Sequence, residues 1–450
     1  MQGVDVHLLL IITMYFLFSL IAIVIEINRI TTYRVIGIVS LCRLMYVLLV
    51  AIVPGFILCA YLVDGTTAEL KYENRYIWTF YAGAIATIAT YLMFTFGYHI
   101  EQKKVPIKNR NYLFNTTLLA SIFVAISVIS LFLWASGFGG VSALILQANS
   151  IRAGFVVSSS NVAFFKHFVP LAMLAAFLVF NKLVVTKDAK NNTELICLIV
   201  LFVISVIISV VYILANDGRM LAGIFIMLFF LLLIKNEYEV KKKSLKKIVF
   251  RAVILIAIVV AIILNADNIF RIMREDEILT STNDDTFFQT ISGEFSFIVS
   301  SLQTAIMKRT DGTASLTILN DVVNGIFAWL PTSLKPIILP DVWDYNTQLI
   351  NAGTYGQSPT TIVSQSIYDL GIVGVVVIPT LYGVLVKKIE NILDSYQENP
   401  FTTTVYIVLG FYLGKGMVYF SAYNIMMNIF FIVIGSIIFT VFNKVTIGGK

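Results

Sequence analysis

Several arginines stand in the segments between long apolar runs, where their side chains can bind an anion. They are Arg152, Arg219, Arg271, Arg274 and Arg309. The planar guanidinium donates two parallel hydrogen bonds to phosphate oxygens and keeps its charge. Arg219 also follows a tight turn at the start of a predicted helix, where free backbone N–H groups favour an anion. The alternative is an ordinary surface role, because the acidic pair Glu275-Asp276 directly follows Arg274. We predict that these arginines bind a phosphate-bearing group.

Three further residues are candidates for binding or proton transfer. Lys415 lies between two glycines in an apolar run, and a charge in the bilayer core costs ~2.5–3.5 kcal/mol, so it needs a function or a partner. Glu294 has apolar neighbours in GEFSF, which would raise the pKa of its carboxyl and suit it to general-base work. His167 opens another apolar run, although a lone histidine is more often structural. Arg43 and Lys166 are expected to extend toward the nearest water-facing surface.

Familiar motifs for nucleotide, metal or serine chemistry do not occur in the sequence. It contains no GxxxxGK[ST], HExxH or GxSxG pattern. Cys42, Cys59 and Cys197 lie in apolar runs without metal-ligand spacing. We therefore predict no cofactor and no metal site.

The elements that position these residues are membrane-spanning helices. The chain of 450 residues is 58% hydrophobic and 13% charged, whereas a soluble domain carries about 25% charged residues. A helix needs about 20 apolar residues to cross a bilayer. On this basis we predict an all-α polytopic membrane protein with eleven spans: 7–25, 36–63, 77–98, 113–136, 162–180, 195–214, 220–234, 249–264, 362–386, 402–420 and 425–443.

The distribution of Lys and Arg predicts the orientation of these spans. With the N-terminus outside, the inside segments together with Arg251 carry 20 of the 32 basic residues. Cytoplasmic loops are the ones enriched in Lys and Arg. We predict an extracytoplasmic N-terminus and a cytoplasmic C-terminus. The net charge of +6 is thus a topology signal, and no nucleic-acid partner is predicted because no soluble basic patch with interleaved aromatic residues occurs.

The large segment 265–361 is predicted to be an extracytoplasmic loop of a single membrane domain. Spans 1–8 precede it in residues 1–264, and spans 9–11 follow it in residues 362–450. Long ordered loops are usually functional. The alternative is a cap that only holds the helices together.

Two stretches of this loop, Phe287 to Met307 and Ser315 to Leu330, have apolar residues at helical spacing. They predict amphipathic helices that lie on or dip into the membrane surface. Trp343 and Tyr345 suit the aromatic belt at the membrane interface, and Tyr345 is also a candidate contact for a substrate.

The chain resembles the Wzy-type O-antigen polymerases, which join oligosaccharide repeat units. The resemblance covers most of the length as architecture: many spans, a dominant outer loop in the second half, and outer arginines. The local matches are the Gly139 to Arg152 segment, NDGRMLAG, GEFSF, and GQSPTTIVSQSIYDLGIVG before and into span nine. Gln365 stands where the family pattern leads us to expect Glu, so an acidic role at that position is in doubt.

The resemblance implies a GT-C-like membrane glycosyltransferase in the bacterial inner membrane. Its substrates would be undecaprenyl-pyrophosphate-linked oligosaccharides, and a chain-length-regulating co-polymerase would be a possible partner. A sugar hydroxyl would attack the anomeric carbon of the growing chain and release undecaprenyl pyrophosphate. Arg152, Arg219 and Arg309 would bind the pyrophosphate, and Glu294 would assist deprotonation of the acceptor.

Two other functions remain open. An O-antigen ligase would share the lipid-linked donor, but ligases typically carry a histidine in the large outer loop, and this loop has none. A flippase or transporter for lipid-linked oligosaccharides would predict repeated halves, and no internal repeat is visible.

Overall fold

The structure is a computed structural model, and every regular element that it describes is helical. This confirms the predicted all-α class. The described residues are 2–64, 77–100, 115–152, 156, 161–186, 191–216, 218–244, 247, 250, 251, 254, 287–330, 334–337, 339–350, 358–396 and 399–448.

The helices vary from short turns of the loop to segments longer than a bilayer. In chain order they are α1 (Gln2–Tyr33), α2 (Ile38–Met45), α3 (Val53–Asp64), α4 (Ile77–Ile100), α5 (Thr116–Ser136), α6 (Val141–Leu146), α7 (Ala148–Arg152), α8 (Leu171–Phe180), α9 (Asn192–Ala215), α10 (Arg219–Lys235), α11 (Phe287–Thr310), α12 (Asn320–Ile326), α13 (Val342–Ile350), α14 (Ile362–Leu370), α15 (Gly374–Asp394), α16 (Pro400–Val418) and α17 (Ala422–Gly448). Shorter π-helical or 3₁₀ turns lie at Tyr46–Ile52, Asn161–His167, Asn181–Thr186, Asn236–Val240 and Gly371–Val373.

Ten helical segments within the described residues are long and apolar enough to cross a membrane. Each overlaps one of the eleven predicted spans, so the chain is a multi-pass membrane protein. The remaining predicted span, 249–264, lies almost wholly outside the described residues. The orientation of the spans stays a prediction.

Two spans exceed their predicted lengths by more than any other described span. The first runs from Val6 to Tyr33, and the ninth runs from Ile362 to Asp394. Both spans were predicted to end just before a charged residue, Glu26 or Lys387. The helix continues past these residues because their side chains form ion pairs. The long second span is π-helical over Tyr46–Ile52, just before Pro54. The proline nitrogen has no hydrogen to donate, and its ring crowds the carbonyl one turn earlier.

The chain folds into two compact units, and neither is one continuous stretch. The first comprises Met1–Val105, Ser281–Asp394 and Gly410–Met427. The second comprises Pro106–Thr280, Ser395–Leu409 and Asn428–Lys450. The helices of the large loop therefore share a unit with spans from both ends of the chain.

Within the first unit, α4 and α15 pack in direct backbone contact. A Cβ atom built on Gly97 would lie 2.0 Å from the carbonyl oxygen of Thr380, and one on Gly383 would lie 2.2 Å from that of Phe94. Only glycine permits such an approach. This contact fixes the long helix that follows the loop.

The loop contains three described helices, of which the sequence predicted the first well. The helix α11 covers the predicted stretch Phe287 to Met307 and ends at Thr310. The second predicted helix is much shorter, because only Asn320–Ile326 is helical between turns. The third, α13, contains Trp343 and Tyr345. Both were predicted as interfacial aromatic residues and Tyr345 also as a substrate contact, but no helix was predicted there.

Candidate functional site

The ninth span is a broken helix, and the break lies beside buried polar side chains. The first part, α14, begins with a capping box between Thr361 and Ser364. It ends at Gly371, whose φ of +65° is costly for residues with a Cβ. Between these ends Ser364, Gln365, Ser366 and Asp369 are buried. Polar groups at this density inside a candidate span require partners.

The loop supplies partners for the backbone freed at the break. The N–H of Thr317 donates to the carbonyl of Tyr368 at 3.0 Å, and that of Ile318 donates to Asp369 at 3.3 Å. The backbone reaches these positions through left-handed φ values of 41° at Ile318 and 62° at Leu319. Such values are rare for side chains with a Cβ, and the surrounding structure must hold them.

A chain of hydrogen bonds continues from Asp369. Thr317 Oγ1 donates to Asp369 Oδ1 at 2.5 Å, and Gln365 Nε2 donates to Oδ2 at 3.2 Å. Thr360 Oγ1 lies 2.7 Å from Gln365 Oε1 and 3.0 Å from the carbonyl oxygen of Phe420. An amide at 365 therefore accepts from one neighbour and donates to the other. A glutamate at 365 would place a second carboxylate beside that of Asp369, and the two negative charges would repel each other. The glutamine at this position avoids that repulsion.

A second network ties the loop helices to α14. The hydroxyl of Tyr368 donates to Asn346 Oδ1 at 2.8 Å, and Asn346 Nδ2 donates to Ser301 Oγ at 2.9 Å. Ser301 Oγ in turn donates to the carbonyl of Pro359 at 2.7 Å. These hydrogen bonds connect α11, α13 and α14, so this part of the loop is ordered and packed against the ninth span rather than a linker.

Asp321 on α12 caps a transmembrane helix from outside that helix. Its carboxylate, 2% exposed, accepts a hydrogen bond from the Ser421 hydroxyl at 2.8 Å and further bonds from the backbone N–H groups of Ala422 and Tyr423. A negative charge is favoured at a helix N-terminus because the first N–H groups lack intrahelical acceptors. Asp321 thus joins the loop to the start of α17.

Burial raises the pKa of Asp321 above 3.8, because the loss of water outweighs its hydrogen bonds from Ser421, Ala422 and Tyr423, and the charge of Asp369 adds to the effect. The folded state therefore holds this proton to higher pH than the unfolded chain. The contribution of Asp321 to stability should fall as pH rises from 3.8 through the raised pKa. The difference in unfolding temperature between the wild type and Asp321→Asn, followed across that range, measures this contribution. A difference that does not change with pH would contradict it.

Lys415 lies in α16, where the helix packs closely on both sides. A Cβ atom on Gly414 would lie 2.9 Å from Met45 Sδ, and one on Gly416 would lie 2.9 Å from the Tyr382 hydroxyl. The ammonium is 5.8 Å from the ring centroid of Tyr412 and 5.9 Å from that of Tyr419. No ion pair joins Lys415 to a carboxylate in the part of the chain that the structure describes. Lys415 is therefore a candidate for binding an anionic ligand.

Three other predicted site residues belong to the same unit as Lys415, but the structure shows no hydrogen bond or ion pair between their side chains and Lys415 among the described residues. Tyr345 accepts a hydrogen bond from the N–H of Ser315 at 2.9 Å, and Arg309 donates to the carbonyl of Ala314 at 2.6 Å. Both contacts shape the turn after α11, and they belong to the first unit with Lys415. Glu294 lies on α11 in the same unit, but its side chain lies outside the described part.

The remaining predictions fall in the second unit or outside the described residues. Arg152 ends α7 and Arg219 begins α10, and neither side chain is among those described. The ring of His167 packs edge-on against Phe164 and Phe430. Arg271 and Arg274 lie outside the described residues. Substrate contacts for all these residues stay predictions.

A charged cluster at the other end of the first unit was not predicted. Glu26 accepts hydrogen bonds from Arg29 at 2.9 Å and from Arg43 at 3.1 Å. Arg43 is 3% exposed, so the prediction that it extends to water is wrong, because a buried carboxylate neutralises it instead. Arg43 Nη2 lies 3.5 Å from His99 Nε2, and since arginine only donates, that nitrogen must be the acceptor.

The same cluster extends to α15. The hydroxyl of Tyr98 donates to Glu390, and Lys387 Nζ lies 3.2 Å from that hydroxyl and 3.7 Å from the Glu390 carboxylate. The cluster thus connects α1, α2, α4 and α15. Two of its contacts, Glu26–Arg29 and Lys387–Glu390, join residues three apart. Its other contacts join residues 17 to 292 apart in the chain, so no local pattern in the sequence reveals the whole cluster.

Asp321, Asn346 and Thr360 are also polar residues that sequence reasoning missed. Each lies in a locally polar stretch, LND, YNTQ or SPTT, in which it does not stand out, and only its distant partners show what it does. Among the described residues, no group of three or more His, Cys, Asp or Glu side chains could hold a metal ion. Comparison of the chain with protein-family models, with curated proteins and with solved structures found no match.

Proposed function

We propose that this chain is a membrane glycosyltransferase that joins lipid-linked oligosaccharide repeat units, an O-antigen type polymerase of the bacterial inner membrane. The observation that carries the proposal is Lys415. A lysine within a candidate span, next to two tyrosine rings and without a carboxylate partner among the described residues, suits an anionic ligand. Aromatic rings beside it also suit sugar rings.

The fixed loop supports this proposal. Transfer between two bulky substrates needs both of them held in one geometry, and rigid supports supply it. The networks around Asn346, Gln365 and Asp321 provide such support. Loop helices held in this way can keep glycans near the membrane surface.

The reaction moves one sugar chain from a pyrophosphate to a hydroxyl. The hydroxyl oxygen of the acceptor sugar bonds to the anomeric carbon of the donor, and the bond from that carbon to the pyrophosphate oxygen breaks. The acceptor proton passes to a base, for which Glu294 is the candidate. Undecaprenyl pyrophosphate leaves with the bonding electrons, and Lys415 stabilises its negative charge. Arg152, Arg219 and Arg309 are further candidates for this task.

Deletion of the gene in the source organism, followed by electrophoresis of envelope polysaccharide, tests the class of function. A polymerase predicts that only single repeat units remain. Free lipid-linked polymer would indicate a ligase instead. Repeat units trapped on the cytoplasmic side would indicate a flippase.

Replacing Lys415 with methionine should abolish long chains, with a loss of about 10²–10³-fold in transfer rate, because removing one preorganised charge from a transition state has effects of this size. Lys415→Arg keeps the charge and should retain part of the activity. Lys308→Met, at a loop lysine close to the C-terminus of α11, is the matched control. Normal chain length in Lys415→Met, at a normal level in the membrane, would refute the role of Lys415.

A transporter for lipid-linked oligosaccharides is the second candidate, and the broken ninth span favours it. Transporters often bind substrates where a helix is interrupted in the membrane, and α14 and α15 are separated at Gly371–Val373. In a transporter, Lys415→Met would leave chains of normal length that are fewer in number.

A further inference from the structure

The segment from Leu316 to Leu334, called here the apolar arm, lies in the predicted extracytoplasmic loop. The sequence predicted an amphipathic helix at the membrane surface over most of this segment, and the structure shows irregular backbone around the short helix α12 instead. From Gly312 to Leu334 the sequence contains one charged residue, Asp321. That carboxylate is buried against the start of α17. The outer surface of the apolar arm therefore carries no charge.

The described side chains on that outer surface are large and apolar. Ile318, Ile326 and Leu334 are the most exposed, at 66%, 68% and 66%. Leu316, Leu319, Val322 and Leu330 are also exposed. A water-facing surface of this composition would be unusual in a soluble region, where exposed apolar patches mark interaction sites.

Two polar side chains of the apolar arm, those of Asn324 and Trp329, find hydrogen-bond partners within the protein. Asn324 exchanges two hydrogen bonds with the backbone of Leu339, at 3.0 and 3.1 Å. The indole N–H of Trp329 donates to the carbonyl of Met426 at 2.8 Å. Backbone that is not a regular helix is tolerated at membrane depth only when its polar groups are satisfied in this way.

The apolar arm is continuous with the surface of a candidate span. Its N-terminal end is hydrogen-bonded to the carbonyls of Tyr368 and Asp369, which lie in the span Ile362–Asp394. Directly after them, Ile372 is 86% exposed and Val373 is also exposed. The two exposed apolar surfaces adjoin, because a Cβ atom built on Gly371 would lie 4.0 Å from Leu316 Cδ2.

The distance along α15 indicates the depth of this junction. Sixteen residues separate Gly371 from Lys387, the first charged residue of α15, and at 1.5 Å per residue they extend about 25 Å. The hydrocarbon core is about 30 Å thick. With Lys387 at one boundary of the core, the junction lies inside the opposite leaflet.

We propose that the apolar arm is a re-entrant element whose exposed side chains contact the hydrocarbon chains of bilayer lipids. This inference does not depend on the proposed enzymatic function. It assigns part of the large loop to the membrane, so that the polar networks at Asp369 and Asp321 lie beside lipid rather than beneath a water-exposed lid.

Fluorescence quenching in vesicles tests the contact with lipid. In the full-length chain with Cys42, Cys59 and Cys197 replaced by alanine, Ile326→Cys carries an environment-sensitive fluorophore. Thr313→Cys, in the exposed turn before the apolar arm, is the water-facing control. Ile372→Cys is the control within a span. The proteins are reconstituted in phosphatidylcholine vesicles that contain a lipid with a nitroxide on its acyl chain.

We expect the nitroxide lipid to quench the fluorophore at 326 as strongly as that at 372, and iodide in the buffer to quench it severalfold less than the fluorophore at 313. Equal iodide quenching at 326 and 313 would overturn the proposal in favour of water. Protection of 326 from both quenchers would overturn it in favour of a protein cover. Leu334→Cys, at the far end of the apolar arm, repeats the test if the label at 326 disturbs folding.

Discussion

Replacing Glu26 with alanine should destabilise the folded protein by about 3–5 kcal/mol, because it leaves Arg43 buried without its carboxylate. The Glu26 side chain is 1% exposed, and it forms ion pairs with both Arg29 and Arg43. Burial of an uncompensated charge is one of the few changes that costs so much. Thermal unfolding of the detergent-solubilised protein measures the effect as a lower midpoint.

The control for Glu26→Ala is a substitution in a partly exposed ion pair. Lys243→Ala removes a half-buried partner of Glu237, which keeps its contact with Arg251. Such partly exposed pairs contribute about 0–1 kcal/mol. A double variant, Glu26→Ala with Arg43→Leu, should recover part of the loss because it removes the orphaned charge. Equal unfolding midpoints for Glu26→Ala and Lys243→Ala would contradict the predicted large loss of stability in Glu26→Ala.

Replacing Asp321 with alanine should cost about 1–3 kcal/mol, because it leaves hydrogen-bond donors buried without an acceptor. The donors are the Ser421 hydroxyl and the first backbone N–H groups of α17. Asp321→Asn keeps an acceptor oxygen and should lose less. The unfolding midpoint in detergent at neutral pH measures both changes.

Asp311→Ala is the matched control for Asp321→Ala, since it changes the same residue type in the exposed turn after α11. A surface substitution of this kind stays within about 0.5 kcal/mol of the wild type. Limited proteolysis should also cut the loop of Asp321→Ala faster, because the contact that holds α12 to α17 is gone. Unchanged stability and unchanged cleavage together would refute the capping role.

Local composition was enough to predict the membrane helices. Ten predicted spans agree with helices of the described chain, and the ends at Ser136 and Ile362 agree to the residue. The hydrophobic effect acts on every residue in a span, so about 20 neighbours of the same type produce a strong signal. The amphipathic spacing of Phe287 to Met307 predicted α11 for the same reason.

The sequence also drew attention to Lys415 and Gln365, because a polar group in an apolar run is conspicuous. It did not predict their surroundings. The amide of Gln365 is required by Thr360 on one side and Asp369 on the other, and only the fold brings these groups within hydrogen-bond distance. The family pattern leads us to expect glutamate at 365, and the two hydrogen-bond partners of the side chain explain why glutamine fits there instead.

Composition and charge distribution were sufficient to predict that this chain crosses a membrane many times and carries a long segment between its eighth and ninth predicted spans. The pairing of the buried charges, and the spans against which that segment packs, became known from the fold. Glu26 and Arg43, or Asp321 and Ser421, are far apart in the chain and meet through packing. Composition is a local property that a sequence states directly, whereas the partner of a buried polar group is a property of the whole fold.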